Sequence, residues 1–127
     1  MKISNLENTS SVNSGATSAD IEETNQKFGY SLHEDYVLFL EEANGFMLEN
    51  GLHMYSTADL FERNVTLEVQ EYAPGYTAIG DDSGGMSITI EHATGEIFSV
   101  DQASMDPDDM EKLANSIGDW LNVHCKF

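Results

Sequence analysis

The run Asp82-Ser83-Gly84-Gly85 contains the residue types that could perform covalent chemistry. A serine in this setting could act as a nucleophile in acyl transfer, which also needs a histidine base, an orienting aspartate and an oxyanion hole. His33 and His53 precede the serine, but neither lies in a recognisable catalytic context, and 127 residues are far too few for a two-barrel serine protease. We therefore interpret residues 82–85 as a turn, in which the serine and glycines serve backbone geometry, and predict no catalytic residue.

Residues that bind metal ions are present, but their spacing does not fit a metal site. The candidates are His33, His53, His92, His124 and Cys125, which lack the paired spacing of zinc ligands. A calcium loop needs a glycine at its sixth position and a glutamate at its twelfth. Counted from Asp101, those positions hold Asp106 and Lys112. No glycine loop followed by lysine is present to bind phosphate. We expect neither a metal nor a cofactor.

Acidic residues dominate the charge of the chain. Twenty-three aspartates and glutamates oppose five lysines and arginines, which gives a net charge of −18. The acids are spread over the sequence and do not form a tail. This field disfavours direct binding to nucleic acid or to an anionic membrane, and it attracts a basic partner. The alternative, that the acidity only confers solubility, stays open.

The stretch from Ile79 to Asp101 gives the clearest strand pattern. Met86, Ile88 and Ile90 alternate with polar residues, as in a strand with one buried face. Residues 92–95 form a loop of hairpin length, and residues 97–100 supply a returning strand. Residues 76–79 lead into the stretch as another strand, so we expect two or three adjacent antiparallel strands at the centre of the fold.

Helical patterns lie on both sides of these strands. Ser18 can cap a first helix that ends near Gly29, and Ser31 with Glu34 forms a capping box for a second helix that ends at residues 44–45. A short helical turn is predicted after residues 56–59, and a strand or extended edge over residues 65–69. Asp106 and Pro107 fit the start of a helix that reaches residue 121, or of two short helices broken near residue 115. The order of elements favours an α+β domain over an alternating parallel α/β one.

Length and composition indicate one domain with a leader. Residues 1–18 are rich in Asn, Ser and Thr and are predicted to be flexible, and residues 19–127 form the domain. An apolar fraction of 40% suits a globular core. The first residues lack the apolar region of a secretory signal, and Cys125 is the one cysteine. Both observations favour a cytoplasmic protein.

The sequence resembles the SUKH superfamily, which is named after the fungal Smi/Knr cell-wall synthesis regulators. The resemblance begins with Ile21, Phe28-Gly29, Leu32-His33-Glu34-Asp35-Tyr36, Phe39-Leu40 and Asn44-Gly45. It continues with Ile79-Gly80-Asp81-Asp82-Ser83-Gly84-Gly85, Val100-Asp101 and Ser116-Ile117-Gly118-Asp119-Trp120-Leu121. It covers about residues 20–122. His33 stands where the family usually has proline, and Phe46 replaces a second glycine, so the subfamily stays open.

The resemblance implies a fold and a function. The fold is an α+β domain with a central, mostly antiparallel sheet flanked by N-terminal helices and a C-terminal helix. Many bacterial members resemble immunity proteins, which bind and neutralise a cognate polymorphic toxin, often a nuclease. Others are regulatory or scaffold domains that bind proteins. Either function is non-enzymatic.

Acids beside turns and helix starts are the predicted contacts with a basic toxin. These partner-binding candidates are Glu34, Asp35, Asp81, Asp82, Glu91 and Glu96. Charge in these positions would speed encounter, and buried aromatic contacts would slow release. Tyrosines in or beside loops are possible anchors for such contacts, although a half-buried tyrosine with a wet hydroxyl is an equally ordinary interpretation.

Overall fold

A computed structural model of the protein describes residue 6 and residues 9–127. Within this part of the chain, seven strands form one sheet in which each strand pairs antiparallel with its neighbours in sequence. The strands are β1 (Thr9–Val12), β2 (Phe46–Leu48), β3 (His53–Met54), β4 (Tyr76–Asp81), β5 (Met86–Glu91), β6 (Ile97–Asp101) and β7 (Glu111–Ala114). The helices are α1 (Ser18–Phe28), α2 (Glu34–Glu42), α3 (Thr57–Thr66), α4 (Val69–Tyr72) and α5 (Ile117–Asn122). The α+β prediction with a central antiparallel sheet is confirmed.

Two hydrophobic clusters cover the two faces of the central strands. The larger cluster joins Ile88 and Ile90 of β5 to Tyr36, Phe39 and Trp120 of the helices, all at most 1% exposed. The smaller cluster contains Val69, Ala73, Ala78, Val100 and Met105. Strand β5 is therefore buried on both faces, and the prediction of a single buried face was wrong. The polar residues Ser87 and Thr89 are fully buried because α4 and the segment after β6 cover their side of the sheet.

The first two helices begin with different caps from those predicted. Thr17, and not Ser18, caps α1, because its hydroxyl accepts from the Asp20 amide while the Asp20 carboxylate accepts from the Thr17 amide. In α2 the cap is His33, whose Nδ1 accepts from the Asp35 amide at 3.1 Å. The capping box assigned to Ser31 and Glu34 does not form, because α2 begins at Glu34 itself and His33 takes the N-cap position.

Residues 65–69 are not a strand. Helix α3 runs through Thr66, and α4 begins at Val69 after Glu68 adopts a left-handed φ of 54°. The helix is favoured over a strand by Asn64, which is 2% exposed. Its side chain donates to the Ala78 carbonyl and accepts from the Ala78 amide, both at 2.8 Å. The side-chain amide of Asn64 thus forms the same two hydrogen bonds with the backbone of β4 that a neighbouring strand would form.

The predicted C-terminal helix is divided, and its first part is not an α-helix. Asp106 does cap a helical turn and Pro107 is its first residue, but the turn is a 3₁₀ helix that ends at Asp109. Residues 111–114 then form β7, which pairs with the edge of β6, and Ser116 caps α5. Pairing with β7 gives the backbone groups at this edge of β6 hydrogen-bond partners. A helix at this position would leave those groups unpaired.

The division into a leader, residues 1–18, and a domain, residues 19–127, stays a prediction. Residues 1–5, 7 and 8 of the leader lie outside the described residues. Of the rest, Leu6 is buried and Thr9–Val12 form β1 against β2. The amide of Ala16 also donates to the Leu40 carbonyl at 2.8 Å, so the segment just before α1 contacts α2.

Two glycines with positive φ give a matched test of packing against backbone strain. A Cβ at Gly45, where φ is 90°, would lie 2.9 Å from the Met54 oxygen and the Ser56 nitrogen. At Gly29, where φ is 78°, a Cβ would meet nothing within 4 Å. We expect Gly45→Ala to lower the free energy of unfolding by about 2–4 kcal/mol, and Gly29→Ala by about 1 kcal/mol. Urea denaturation measures both, and equal losses would contradict the close approach at Gly45.

Candidate functional site

The six predicted contact residues lie at two opposite ends of the central strands. Glu91 ends β5 and Glu96 precedes β6, so both lie at the β5–β6 hairpin. Asp81 ends β4 and Asp82 follows it, at the other end of β5. Six residues of strand separate the two ends by about 17 Å at a rise of about 3.4 Å per residue. The predicted residues therefore lie in two groups, one at each end of the central strands.

The start of α2 lies against the hairpin and adds two acids to that end. Gly95 of the hairpin is buried, and a Cβ there would lie 2.8 Å from Cε1 of His33. This imidazole caps α2, and Glu34 and Asp35 are the first two residues of the helix. We call Glu34, Asp35, Glu91 and Glu96 the hairpin end. Glu34 is exposed and the other three are half-buried.

The hairpin end holds two of its carboxylates by local contacts. Glu91 accepts a hydrogen bond of 2.8 Å from the Thr94 hydroxyl. Glu96 forms an ion pair of 2.6 Å with Lys112 of β7, and this contact lowers the pKa of the Glu96 carboxyl. Each carboxylate thus has a partner in its own chain, and a part of each stays open to solvent.

An aromatic pair lies on the sheet beside these acids. Tyr76 pairs with Glu91 across β4 and β5, and its ring meets that of Phe98 edge-on with centroids 5.7 Å apart. Both rings are half-buried. Burial, followed by the charge of Glu91, raises the pKa of Tyr76. The hairpin end thus combines negative charge with accessible aromatic surface.

A chain of polar side chains lies between α1, α4 and the hairpin, and sequence patterns did not indicate it. The Gln70 amide donates to the Tyr30 hydroxyl at 3.3 Å, and that hydroxyl lies 2.8 Å from Oγ1 of Thr77. Oγ1 in turn lies 2.7 Å from Nε2 of His92. Burial, followed by the nearby His33, lowers the pKa of His92. Neutral His92 can accept a hydrogen bond from the Thr77 hydroxyl. Each donor in this chain of side chains then has an acceptor, and the imidazole carries no charge. The four residues are far apart in sequence, which is why no local motif marks them.

The other end of the strands uses its acids for structure. Asp81 is 9% exposed, and its carboxylate accepts from the Tyr55 hydroxyl at 2.6 Å and from the Ser83 amide at 2.9 Å. The Asp82 carboxylate accepts from the amides of Gly84 and Met86 at 2.7 and 3.0 Å. We call Asp81 and Asp82 the turn end. Asp81 is buried and the Asp82 carboxylate is occupied by two backbone amides, whereas the acids of the hairpin end are exposed or half-buried, so the turn end offers less to a partner.

The serine of the Asp82–Gly85 run has a structural role. Ser83 lies in the left-handed region with a φ of 64°, and its hydroxyl donates to the Gly51 carbonyl at 2.6 Å. This bond ties the β4–β5 turn to the loop between β2 and β3. The arrangement matches the predicted turn, in which the serine and glycines serve backbone geometry.

The described part of the chain shows no assembled metal site. Among residues 6 and 9–127, no group of three or more His, Cys, Asp or Glu side chains lies close enough to hold an ion. Cys125 is fully buried, and burial raises the pKa of its thiol to about 12, so it is a poor nucleophile. Over the same residues, no helix is long and apolar enough to cross a membrane.

The lowered pKa of His92 predicts how stability depends on pH. The unfolded state binds a proton at His92 more readily than the folded state does. The contribution of neutral His92 to the free energy of unfolding is therefore full above the ordinary pKa of 6.5 and is lost as the pH falls below it. We expect the wild type to lose more stability than His92→Gln between about pH 7.5 and 5.5, since glutamine can still accept from Thr77. Urea denaturation at several pH values across this range measures the free energy of unfolding of both proteins.

A second variant controls for the loss of a histidine in general. His124→Gln removes an exposed histidine outside the polar chain and should keep the pH dependence of the wild type. Parallel pH profiles for all three proteins would show that the folded state does not disfavour protonation of His92.

Comparison with known proteins agrees with the fold and with the resemblance. A search of curated proteins found no match. The chain does match the model of the SMI1 / KNR4 family (SUKH-1) over residues 15–123, which is most of its length and includes α1 to α5 and β2 to β7. The predicted membership of the SUKH superfamily is confirmed. The chain belongs to the SMI1 / KNR4 family (SUKH-1).

Proposed function

We propose that the protein is an immunity protein that binds and neutralises a cognate polymorphic toxin without catalysing a reaction. The observation that carries the proposal is the net charge of −18 together with membership of the SUKH-1 family, which is consistent with the immunity type. The proposal places this binding in the cytoplasm, where a toxin that has entered the cell would act.

The toxin is proposed to be a nuclease-type domain with a basic surface. An enzyme that binds nucleic acid needs a positive surface to neutralise phosphates, and that surface is what an acidic protein can cover. The negative field would raise the encounter rate, and contacts at the core of the interface would set the rate of release. Occlusion of the nucleic-acid site is then sufficient for neutralisation.

The hairpin end is the proposed first contact. Its four carboxylates, Glu34, Asp35, Glu91 and Glu96, lie at one end of the domain, and two of them are held by local contacts. The half-buried Tyr76 and Phe98 rings lie on the sheet beside Glu91 and offer aromatic surface next to that carboxylate. Protein interfaces usually combine aromatic residues at their core with a polar rim. The turn end is a weaker candidate, because Asp81 is buried and the Asp82 carboxylate accepts from two backbone amides.

Electrostatic steering by the hairpin end predicts a salt-dependent association rate. The partner to use is a toxin domain identified in a neighbouring reading frame or by affinity capture. We expect its association rate constant to fall about tenfold between about 20 and 500 mM NaCl, while the dissociation rate changes little. Stopped-flow fluorescence measures both rates. An association rate constant that does not change over this range of NaCl concentration would contradict the steering proposal.

Neutralising the hairpin end should reduce the same rate. The variant carries Glu34→Gln, Asp35→Asn, Glu91→Gln and Glu96→Gln, and we expect association at low salt to slow by about fivefold or more. The matched control neutralises four exposed acids elsewhere with Glu22→Gln, Glu49→Gln, Asp108→Asn and Glu111→Gln. It makes the same change in net charge, so equal effects of the two variants would assign steering to the whole molecule and not to the hairpin end.

A regulatory or scaffold domain is the alternative function, and the fungal regulators after which the family is named favour it. Expression of the neighbouring toxin domain distinguishes the two. An immunity protein should restore the growth of cells that express the toxin, whereas a scaffold domain should leave the growth arrest unchanged. The alternative gains support if no toxin is encoded nearby and affinity capture yields a non-toxic partner.

A further inference from the structure

An open groove lies where α1, α3 and α4 meet, and its lining includes none of the four acids of the hairpin end. It has a volume of about 250 Å³ and is lined mainly by apolar surface of Phe28, Phe61 and Val65. The rings of Phe28 and Phe61 meet edge-on, with centroids 5.3 Å apart. The break between α3 and α4 at Glu68 turns the chain so that Glu68, Gln70 and Glu71 also line the groove.

Large apolar side chains beside the groove are exposed to solvent. Val65 is 58% exposed and Tyr72 is 54% exposed, on the two helices that border the groove. Phe28 and Phe61 are half-buried, so their rings are covered only in part. Single exposed hydrophobic residues are ordinary, but several that adjoin one apolar groove indicate a surface that another molecule covers.

The border of this groove is acidic. Glu68 and Glu71 line the groove and are exposed, and the charges of Glu71 and Glu68 raise the pKa of the Tyr72 hydroxyl. The two cations nearest in sequence have other contacts. Lys27 lies 3.6 Å from Glu23, and the Arg63 guanidinium lies over the Tyr55 ring at 5.7 Å from its centroid. An occupant of the groove would therefore meet negative charge around an apolar centre.

Size and charge together select the occupant. Pockets for small molecules usually hold about 300–1,000 Å³, so a volume of about 250 Å³ suits one large side chain better than a free ligand. A second copy of the chain would bring a net charge of −18 against an acidic border, which disfavours self-association. A basic segment with an apolar anchor meets both requirements.

We infer that this groove binds one large apolar side chain, flanked by lysines or arginines, on a basic protein partner. The inference rests on the proposed function, because the partner is the toxin, and it adds a second contact surface and the chemistry of the segment that occupies it. An aromatic side chain would contact Phe28 and Phe61, and its cationic neighbours would meet Glu68 and Glu71.

A peptide titration tests the groove without any toxin. The probe is a blocked peptide with one phenylalanine between two pairs of lysines, and the control peptide has alanine in place of the phenylalanine. Each is added to the ¹⁵N-labelled full chain while amide resonances are recorded. We expect the phenylalanine peptide to shift the resonances of Val65, Glu68, Glu71 and Tyr72 in a saturable way, and the alanine peptide to give weaker and more scattered shifts.

A pair of surface variants separates the groove from general stickiness. Val65→Ser removes an apolar side chain from the groove, and Leu38→Ser removes one of similar exposure, 56%, from α2. Both side chains are mostly in water, so both variants should fold. We expect Val65→Ser to weaken binding of the phenylalanine peptide about fivefold and Leu38→Ser to leave it unchanged.

The outcomes distinguish this inference from the proposed function. Equal shifts with the two peptides, shifts centred on the hairpin end, or equal effects of the two variants would overturn the groove. If the protein protects cells from the toxin and Val65→Ser binds that toxin as the wild type does, the groove is overturned and the immunity function stands. If the phenylalanine peptide binds as expected but no toxin is neutralised, the groove stands and the immunity function is overturned.

Discussion

The side chain of Asn64 fixes the relation between the helices and the sheet. It is almost fully buried, and it bonds both backbone groups of Ala78 while also donating to the Leu60 carbonyl at 2.9 Å. Strand β3 pairs with only Gly80 and Asp81 of β4, so it does not reach Ala78 on that side of the strand. A buried amide or carbonyl without a partner costs about 1–3 kcal/mol, and Asn64 removes that cost at both groups. Helix α3 is thereby fixed against β4, and α1 packs on α3.

The same contact determines where the surface features lie. With α3 fixed, Phe61 meets Phe28 at the end of α1, and the turn at Glu68 brings Gln70 to Tyr30. The groove between the helices and the polar chain that reaches His92 both follow from this arrangement. Neither feature has a local sequence motif, because each is assembled from segments that the fold brings together.

The charges contribute little to holding the domain together. Among the described residues only two ion pairs form between side chains, both partly exposed, and such pairs are worth about 0–1 kcal/mol. Stability comes from the two apolar clusters and from buried hydrogen bonds such as that between Tyr55 and Asp81. Most of the acids are thus left without a cation of their own chain, and their mutual repulsion opposes compactness. A basic partner that covers them would relieve that repulsion.

The sequence predicted the class of fold and the central strands, but not the edges of the domain or the roles of single acids. Alternation at Met86, Ile88 and Ile90 indicated β5 correctly because a strand repeats every two residues. The same pattern at residues 65–69 failed, since Asn64 provides the pairing that a strand would have given. Residues 110–114 carry spacing that suits a helix, yet β6 needed a partner and the segment became β7. The position of Glu34 at a helix start predicts its exposure. The buried carboxylate of Asp81, in contrast, is bound by Tyr55, which is 26 residues away in the sequence.

The order of strands in the sheet equals their order in the sequence, and this bears on how the domain assembles. A chain that grows from its first residue can add each strand to the free edge left by the one before, so no strand has to insert between two others. The hydrophobic core is not completed in the same order as the sheet. Trp120, the largest of its fully buried side chains, belongs to α5, which comes after every strand. During synthesis the sheet can therefore form progressively while the main core stays open, and the domain closes in a late step when α5 docks.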